Sequence, residues 1–264
     1  MGEQRGHRWL LLPMAALCLA LSLLYSFNPI SKGAEGYAGR VASASAVVYV
    51  SLRTLNAFLS TAQEAEVGLS VGASASFQPL KTLEPIDDTI ERIAAMVFGM
   101  MVVSGVLSVA TGPIGAIGFA MAGLGLVSMY LSPRIRVGRK LLLYGAFLAI
   151  ALPLSYWISG GLAEVMTGQK WDENQRIVNE IVKGVETTSA DTNDEGWFAE
   201  FFEQGDAVKR YTTLATRIAS EADTLIKSYI ELLAVLVFNL ILLPLILIGG
   251  VFVLFRWLAN DAWE

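Results

Sequence analysis

Long apolar runs alternate with mixed, amphipathic stretches along this chain. Residues 9–27, 93–131, 141–159 and 232–255 contain no Asp, Glu, Lys or Arg. A membrane-spanning helix needs about 20 predominantly apolar residues. The first, third and fourth runs each suit one pass. The second is longer, and over 92–131 it reads as a Gly/Ser-rich membrane segment, either a hairpin or a re-entrant piece.

The pattern divides the chain into a cytoplasmic tail (1–8), a transmembrane signal anchor (9–27) and a helical extracytoplasmic segment (28–91). The Gly/Ser-rich segment and a basic cytoplasmic loop (132–140) come next. A transmembrane helix (141–159), a second extracytoplasmic helical segment (160–228), a last transmembrane helix (229–256) and a tail (257–264) complete it. The expected fold is an all-α integral membrane protein of about four to six transmembrane helices. An extracytoplasmic amphipathic, coiled-coil-like helical layer accompanies them.

Periodicity supplies that layer. Val41, Ala44, Val48, Leu52, Leu55 and Leu59 recur at three- and four-residue steps and make one apolar stripe. The same segment carries Arg53 and Asn56, which weigh against its being a span, because a charge at mid-membrane costs about 2.5–3.5 kcal/mol. Residues 68–76 are small and loop-like, and Pro79 and Pro85 punctuate the stretch between them and the second apolar run. Ile177, Val178, Ile181, Val182 and Val185 form another apolar face, followed by a polar linker from Thr187 to Gly196. Trp197, Phe198, Phe201 and Phe202 suit packing on the first outer helix or a dip into the lipid interface.

The most regular stripe is Val208, Tyr211, Ala215, Ile218, Ala222, Leu225 and Tyr229, the a/d seam of a coiled-coil-like helix. No Pro or Gly interrupts residues 206–243, so this helix should continue into the last span. Its seam needs a partner, either the 41–59 stripe or the same seam in another copy.

Within the second apolar run, Ser104, Ser108, Gly112, Gly115, Gly118, Gly123 and Gly125 form a small-residue set. Small residues let helix backbones touch inside lipid. Gly112-Pro113 reads as a helix break, and a broken Gly-rich segment can also line a constriction.

Charge orients the chain. The 132–140 loop carries Arg134, Arg136, Arg139 and Lys140 without an acid, so it belongs in the cytoplasm, as does the tail with Arg5 and Arg8. Residues 28–131 must then cross an odd number of times. A single net crossing of 93–131 gives four passes, a true hairpin gives five and breaks the charge rule, and a further crossing at 41–59 gives six.

Composition narrows the chemistry. The chain is 54% hydrophobic and 16% charged, with mean hydropathy +0.54. A net charge of −5 implies no general affinity for nucleic acid. Cys18 lies in the first run, and Leu17 before it does not suit a lipoprotein cleavage site. With His7 as the single histidine, a His/Cys zinc site or a His-based triad is not expected. Neither a phosphate-binding Gly loop nor a nucleophile elbow occurs. Glu84, Asp87, Asp88 and Glu91 could hold a divalent cation, but they also suit the positive end of a helix dipole. Asn239, in the last run, suits a hydrogen bond across helices better than a place on a transport pathway.

The expected function is therefore non-enzymatic, with no cofactor, metal or catalytic residue. The chain reads as a multi-pass inner-membrane structural, scaffold or regulatory protein. It would show its coiled-coil-like surface to a membrane-protein partner or to a homo-oligomer. The alternative is an oligomeric pore with residues 99–125 at the constriction.

Overall fold

The computed structural model describes residues 8–70, 84–132, 136–190 and 205–261, and no strand occurs among them. Helix α1 (Arg8–Leu23) leads through a 3-10 turn (Tyr25–Phe27) into α2 (Pro29–Ser70). Helix α3 spans Glu84–Leu131 and α4 spans Arg136–Ala190. Helix α5 (Gly205–Val237) passes through a π turn (Phe238–Leu242) into α6 (Leu243–Asp261), making one helical run. Four stretches are long and apolar enough to cross a bilayer: Pro29–Thr61, Glu84–Leu131, Arg136–Lys183 and Thr216–Trp257. The described residues are thus all-helical, with the length and composition of a multi-pass membrane protein in contact with lipid.

Local chemistry sets several helix ends. Asn28 accepts the Ile30 amide on its Oδ1 at 3.0 Å, and Pro29 opens α2 where a missing N–H costs nothing. Glu84 and Asp87 occupy the first turn of α3, at the positive end of its dipole.

Three expectations need correction. Residues 92–131 form neither a hairpin nor a re-entrant loop, since α3 runs through Gly112-Pro113 without a break. Breaking a helix in an apolar medium would strand several backbone polar groups, each at a cost of a few kcal/mol. One proline strands fewer. Thr111 also ties the helix back on itself, its Oγ1 donating to the Leu107 carbonyl at 2.6 Å.

Helix α4 likewise continues through Pro153 and Gly160-Gly161 to Ala190, past the expected start of a linker at Thr187. Finally, the candidate span nearest the N-terminus is Pro29–Thr61, while Trp9–Leu23 is a shorter apolar helix. Lys32, Glu35, Arg40 and Arg53 therefore lie within a candidate span. The expected 68–76 loop falls mostly outside the described residues, as do residues 197–202.

The chain divides into two compact units. The first contains Met1–Ala42, Val102–Met166 and Val237–Glu264; the second contains Ser43–Met101 and Thr167–Leu236. In the first unit, α3 and α4 pack through glycine. Gly118 and Gly125 of α3 meet Gly145 and Gly138 of α4, and both pairs are seven residues apart. A Cβ on Gly118 would strike the Ala149 backbone and come 2.9 Å from the Gly145 carbonyl oxygen. One on Gly125 would lie 2.6 Å from the Leu142 nitrogen. The two backbones are in van der Waals contact, the form of helix adhesion available inside lipid. Gly123 serves α1 instead, facing Ala15 and Leu19.

In the second unit the heptad stripes close on each other. Val48, Leu52, Leu55 and Leu59 of α2 are buried, as are Ile218, Ala222, Leu225 and Tyr229 of α5. The Tyr229 hydroxyl donates to Ser51 Oγ at 3.2 Å and joins the two stripes. Val178, Ile181, Val182 and Val185 of α4 and Ile90, Ile93 and Val97 of α3 fill the same core. Each buried aliphatic side chain contributes about 1.5–3 kcal/mol where the alternative is water.

Gly118→Leu should destabilise the first unit by at least about 1–3 kcal/mol, the range for an overpacked core. Unfolding in mixed micelles would measure it. Gly105→Leu is the control, since nothing lies within 4 Å of a Cβ there. Equal stability of the two variants would refute the glycine contact.

Candidate functional site

The first unit concentrates its irregular backbone in one neighbourhood. The 3-10 turn between α1 and α2, the Gly112-Pro113 step of α3, Pro153 of α4 and the π turn are linked by contact. Gly112 leaves the space taken by the Tyr25 ring and the Glu35 carboxylate. A Cβ on Gly115 would lie 3.5 Å from Pro153 and 3.7 Å from Ser31 Oγ. Tyr156, three residues beyond Pro153, donates its hydroxyl to the Leu240 carbonyl at 3.1 Å. Tyr37 donates to the Asn239 carbonyl at 2.9 Å, and the two tyrosine rings are 6.3 Å apart.

These hydroxyl bonds have a clear cause. A π turn bonds five residues apart and disturbs the normal ladder of carbonyl partners. Buried carbonyls need donors, and a tyrosine is an apolar body ending in one. The two tyrosines thus cap adjacent carbonyls of the π turn. Ser108 performs a similar task between α3 and α2, its Oγ donating to the Glu35 carbonyl at 3.1 Å.

The layer is rich in hydroxyls. Ser31, Ser104, Thr111, Ser155 and Ser159 are all buried. Ser159 Oγ donates to the Ser155 carbonyl at 2.7 Å, whereas Ser155 Oγ is buried without a partner among the described residues. The layer can hold helix joints in a fixed arrangement.

The sequence-predicted residues divide between the two units. Gly112, Gly115, Gly118, Gly123 and Gly125 all face helices of this chain, and Ser104 and Ser108 lie in the same unit. Each of the five glycines is taken up by intrachain packing. Of the predicted coiled-coil seam, Ile218, Ala222, Leu225 and Tyr229 are buried together, while the side chains of Val208, Tyr211 and Ala215 lie outside the described residues. Arg136, Arg139 and Lys140 are exposed in the first turns of α4, and Arg134 is outside the described residues. At the start of α3, Glu84 and Asp88 are exposed, and Asp87 has one buried oxygen without a partner among the described residues. Among the described residues no three His, Cys, Asp or Glu side chains are grouped to hold a metal.

Sequence reasoning passed over Tyr37 and Tyr156. Tyr156 sits inside an otherwise charge-free run, where its hydroxyl must find an acceptor. That requirement marks it as a tether, though not its target. No family model, no curated protein and no solved structure matches this chain.

Tyr37→Phe and Tyr156→Phe should each cost about 0.5–1.5 kcal/mol, the net value of one such bond. The double variant should lose more than either single one in the same micelle unfolding experiment. No loss in any variant would mean that the π turn holds without its caps.

Proposed function

We propose that this chain is a non-enzymatic structural or regulatory protein of an inner membrane. Both termini and the 132–140 loop lie in the cytoplasm, following the four basic residues of that loop. In this reading the outward helical faces of the second unit bind a membrane-protein partner or another copy of the chain.

One observation carries the choice of surface. The heptad stripes are consumed inside the chain, with Leu52, Leu55, Ile218, Leu225 and Tyr229 all at most 1% exposed. Two stripes of one chain meet at an effective concentration that a separate partner rarely equals. Polar surface on α4 and α5 is left for recognition. On α4, Asp172, Gln175, Arg176, Asn179, Glu180 and Lys183 line a shallow concavity of about 340 Å³. On α5, Thr213, Thr216, Arg217 and Ser220 line another of about 460 Å³. Arg217 is held to Glu221 by a 3.1 Å bond, which pre-orders that face. Mixed-charge helical faces of this kind favour specificity and fast association over raw affinity.

Photo-crosslinking residues at Arg176, Glu180 and Arg217 test this in native membranes. A discrete protein adduct is expected from at least one of them, and none from Val106, an exposed apolar position on α3. Lipid adducts alone at all four positions would sink the proposal. Orientation is checked with Cys18→Ala as background. A membrane-impermeant thiol reagent on intact cells should label Arg176→Cys and spare Val137→Cys. The reverse pattern would invert the topology.

A further inference from the structure

The first unit carries a cationic shelf beside α2 and α4. Lys32, Gly36 and Arg40 recur every fourth residue on one exposed stripe of α2. Next to them on α4 stand Trp157, Gly160 and Gly161. The glycines make the shelf. A Cβ on Gly33 would collide with the Trp157 indole, and one on Gly160 would lie 3.2 Å from Arg40 Nη2 and 3.4 Å from the Tyr37 ring. Gly161 has open space above it, and Gly36 has only Arg40 Nη1, at 3.9 Å.

The donors of this shelf are unspent. Neither Lys32 nor Arg40 forms an ion pair among the described residues, and the Trp157 indole N–H has no hydrogen bond among them. Lys32 Nζ stands 5.6 Å from the Phe27 ring centre, and Arg40 Cζ 5.9 Å from that of Tyr37. The nearest acids in sequence are Glu35 and Glu164. The Glu35 carboxylate is turned toward Gly112 and Tyr25, and exposed Glu164 lies one turn beyond Gly160.

The depth of the shelf selects its ligand. Helix α4 is free of charge from Leu141 to Ala163, about 33 Å of helix against a hydrocarbon core of about 30 Å. Lys140 stands at one end of that run and Trp157, Gly160 and Gly161 in its last two turns at the other. Indole rings and long basic side chains settle at this boundary. Exposed Phe27, Leu162 and Val165 add apolar surface to the same region.

We propose that this shelf binds the headgroup of an anionic phospholipid. Arg40 and the Trp157 N–H take the phosphate, Lys32 on the same stripe adds positive charge deeper on α2, and the flanking apolar side chains meet the acyl chains. A zwitterionic lipid offers the same phosphate, but its ammonium opposes two unpaired cations.

The test uses the full chain with Trp157 as its single tryptophan, in phosphatidylcholine vesicles. A minor fraction of the lipid is brominated on the acyl chains, as either phosphatidylglycerol or phosphatidylcholine. The glycerol lipid should quench Trp157 with an apparent preference of about fivefold or more, the order that one headgroup-level cation supplies. Lys32→Gln/Arg40→Gln should abolish that preference, and inorganic phosphate should not. Equal quenching by the two lipids, or a preference that survives the double substitution, would overturn the site. So would competition by free phosphate. Native mass spectrometry of the wild-type chain supplies a second readout. Retained phosphatidylglycerol should fall in Lys32→Gln/Arg40→Gln and persist in Arg139→Gln/Lys140→Gln, and the opposite order would also refute it.

Discussion

Lipid offers no partner to a peptide group, and the architecture of this chain depends on that. A helix that must cross hydrocarbon keeps its ladder of hydrogen bonds even where its residues argue for a break. Helix α3 accordingly absorbs Gly112 and Pro113, and α4 absorbs Pro153 and two consecutive glycines. Where the ladder is disturbed, at the π turn, two tyrosine hydroxyls stand in for the missing donors.

The two units are built differently. In the first, adhesion comes from close approach of backbones, which small residues allow. Gly118 and Gly125 against Gly138 and Gly145 supply that approach. In the second, large side chains such as Leu52, Leu225 and Tyr229 are enclosed along heptad stripes. Polar groups there fix the register. Asn174 is 5% exposed, and its Nδ2 donates to Glu231 Oε2 at 3.0 Å. A part-buried polar pair of this kind penalises a slip of α4 against α5.

Much of this was legible in the residues. The stripes at 41–59 and 218–229 announced both a helix and a buried face, because a three-four repeat has few other uses. The continuation of 206–243 into the last run was implied by the absence of Gly and Pro, and α5 does pass into α6 through the π turn. Other features left no mark. Gly112-Pro113 carries the signature of a break in water, and only the surrounding medium reverses it. The partner of the α3 glycines was recoverable in principle, since Gly138 and Gly145 repeat their seven-residue spacing. Arg53, which weighed against a span at 41–59, lies exposed on α2 and donates to the Tyr49 hydroxyl at 3.1 Å. The π turn has no signature at all in Phe-Asn-Leu-Ile-Leu. The carbonyls that Tyr37 and Tyr156 reach belong to the backbone, which a side-chain pattern cannot display.

That π turn also changes the azimuth of everything after it. A seven-residue stripe on a straight α-helix drifts by about 20° per heptad. Over the 33 residues of α5 the drift amounts to about a quarter turn. One residue accommodated in a wider loop of backbone offsets a drift of this kind in a single step. The buried positions run Tyr229, Leu232, then the adjacent pair Val235 and Leu236 just before the π turn, and resume at Leu240 and Leu243. The last helix is therefore indexed twice. Its two stretches can each keep an inward edge without the rod having to supercoil along its whole length.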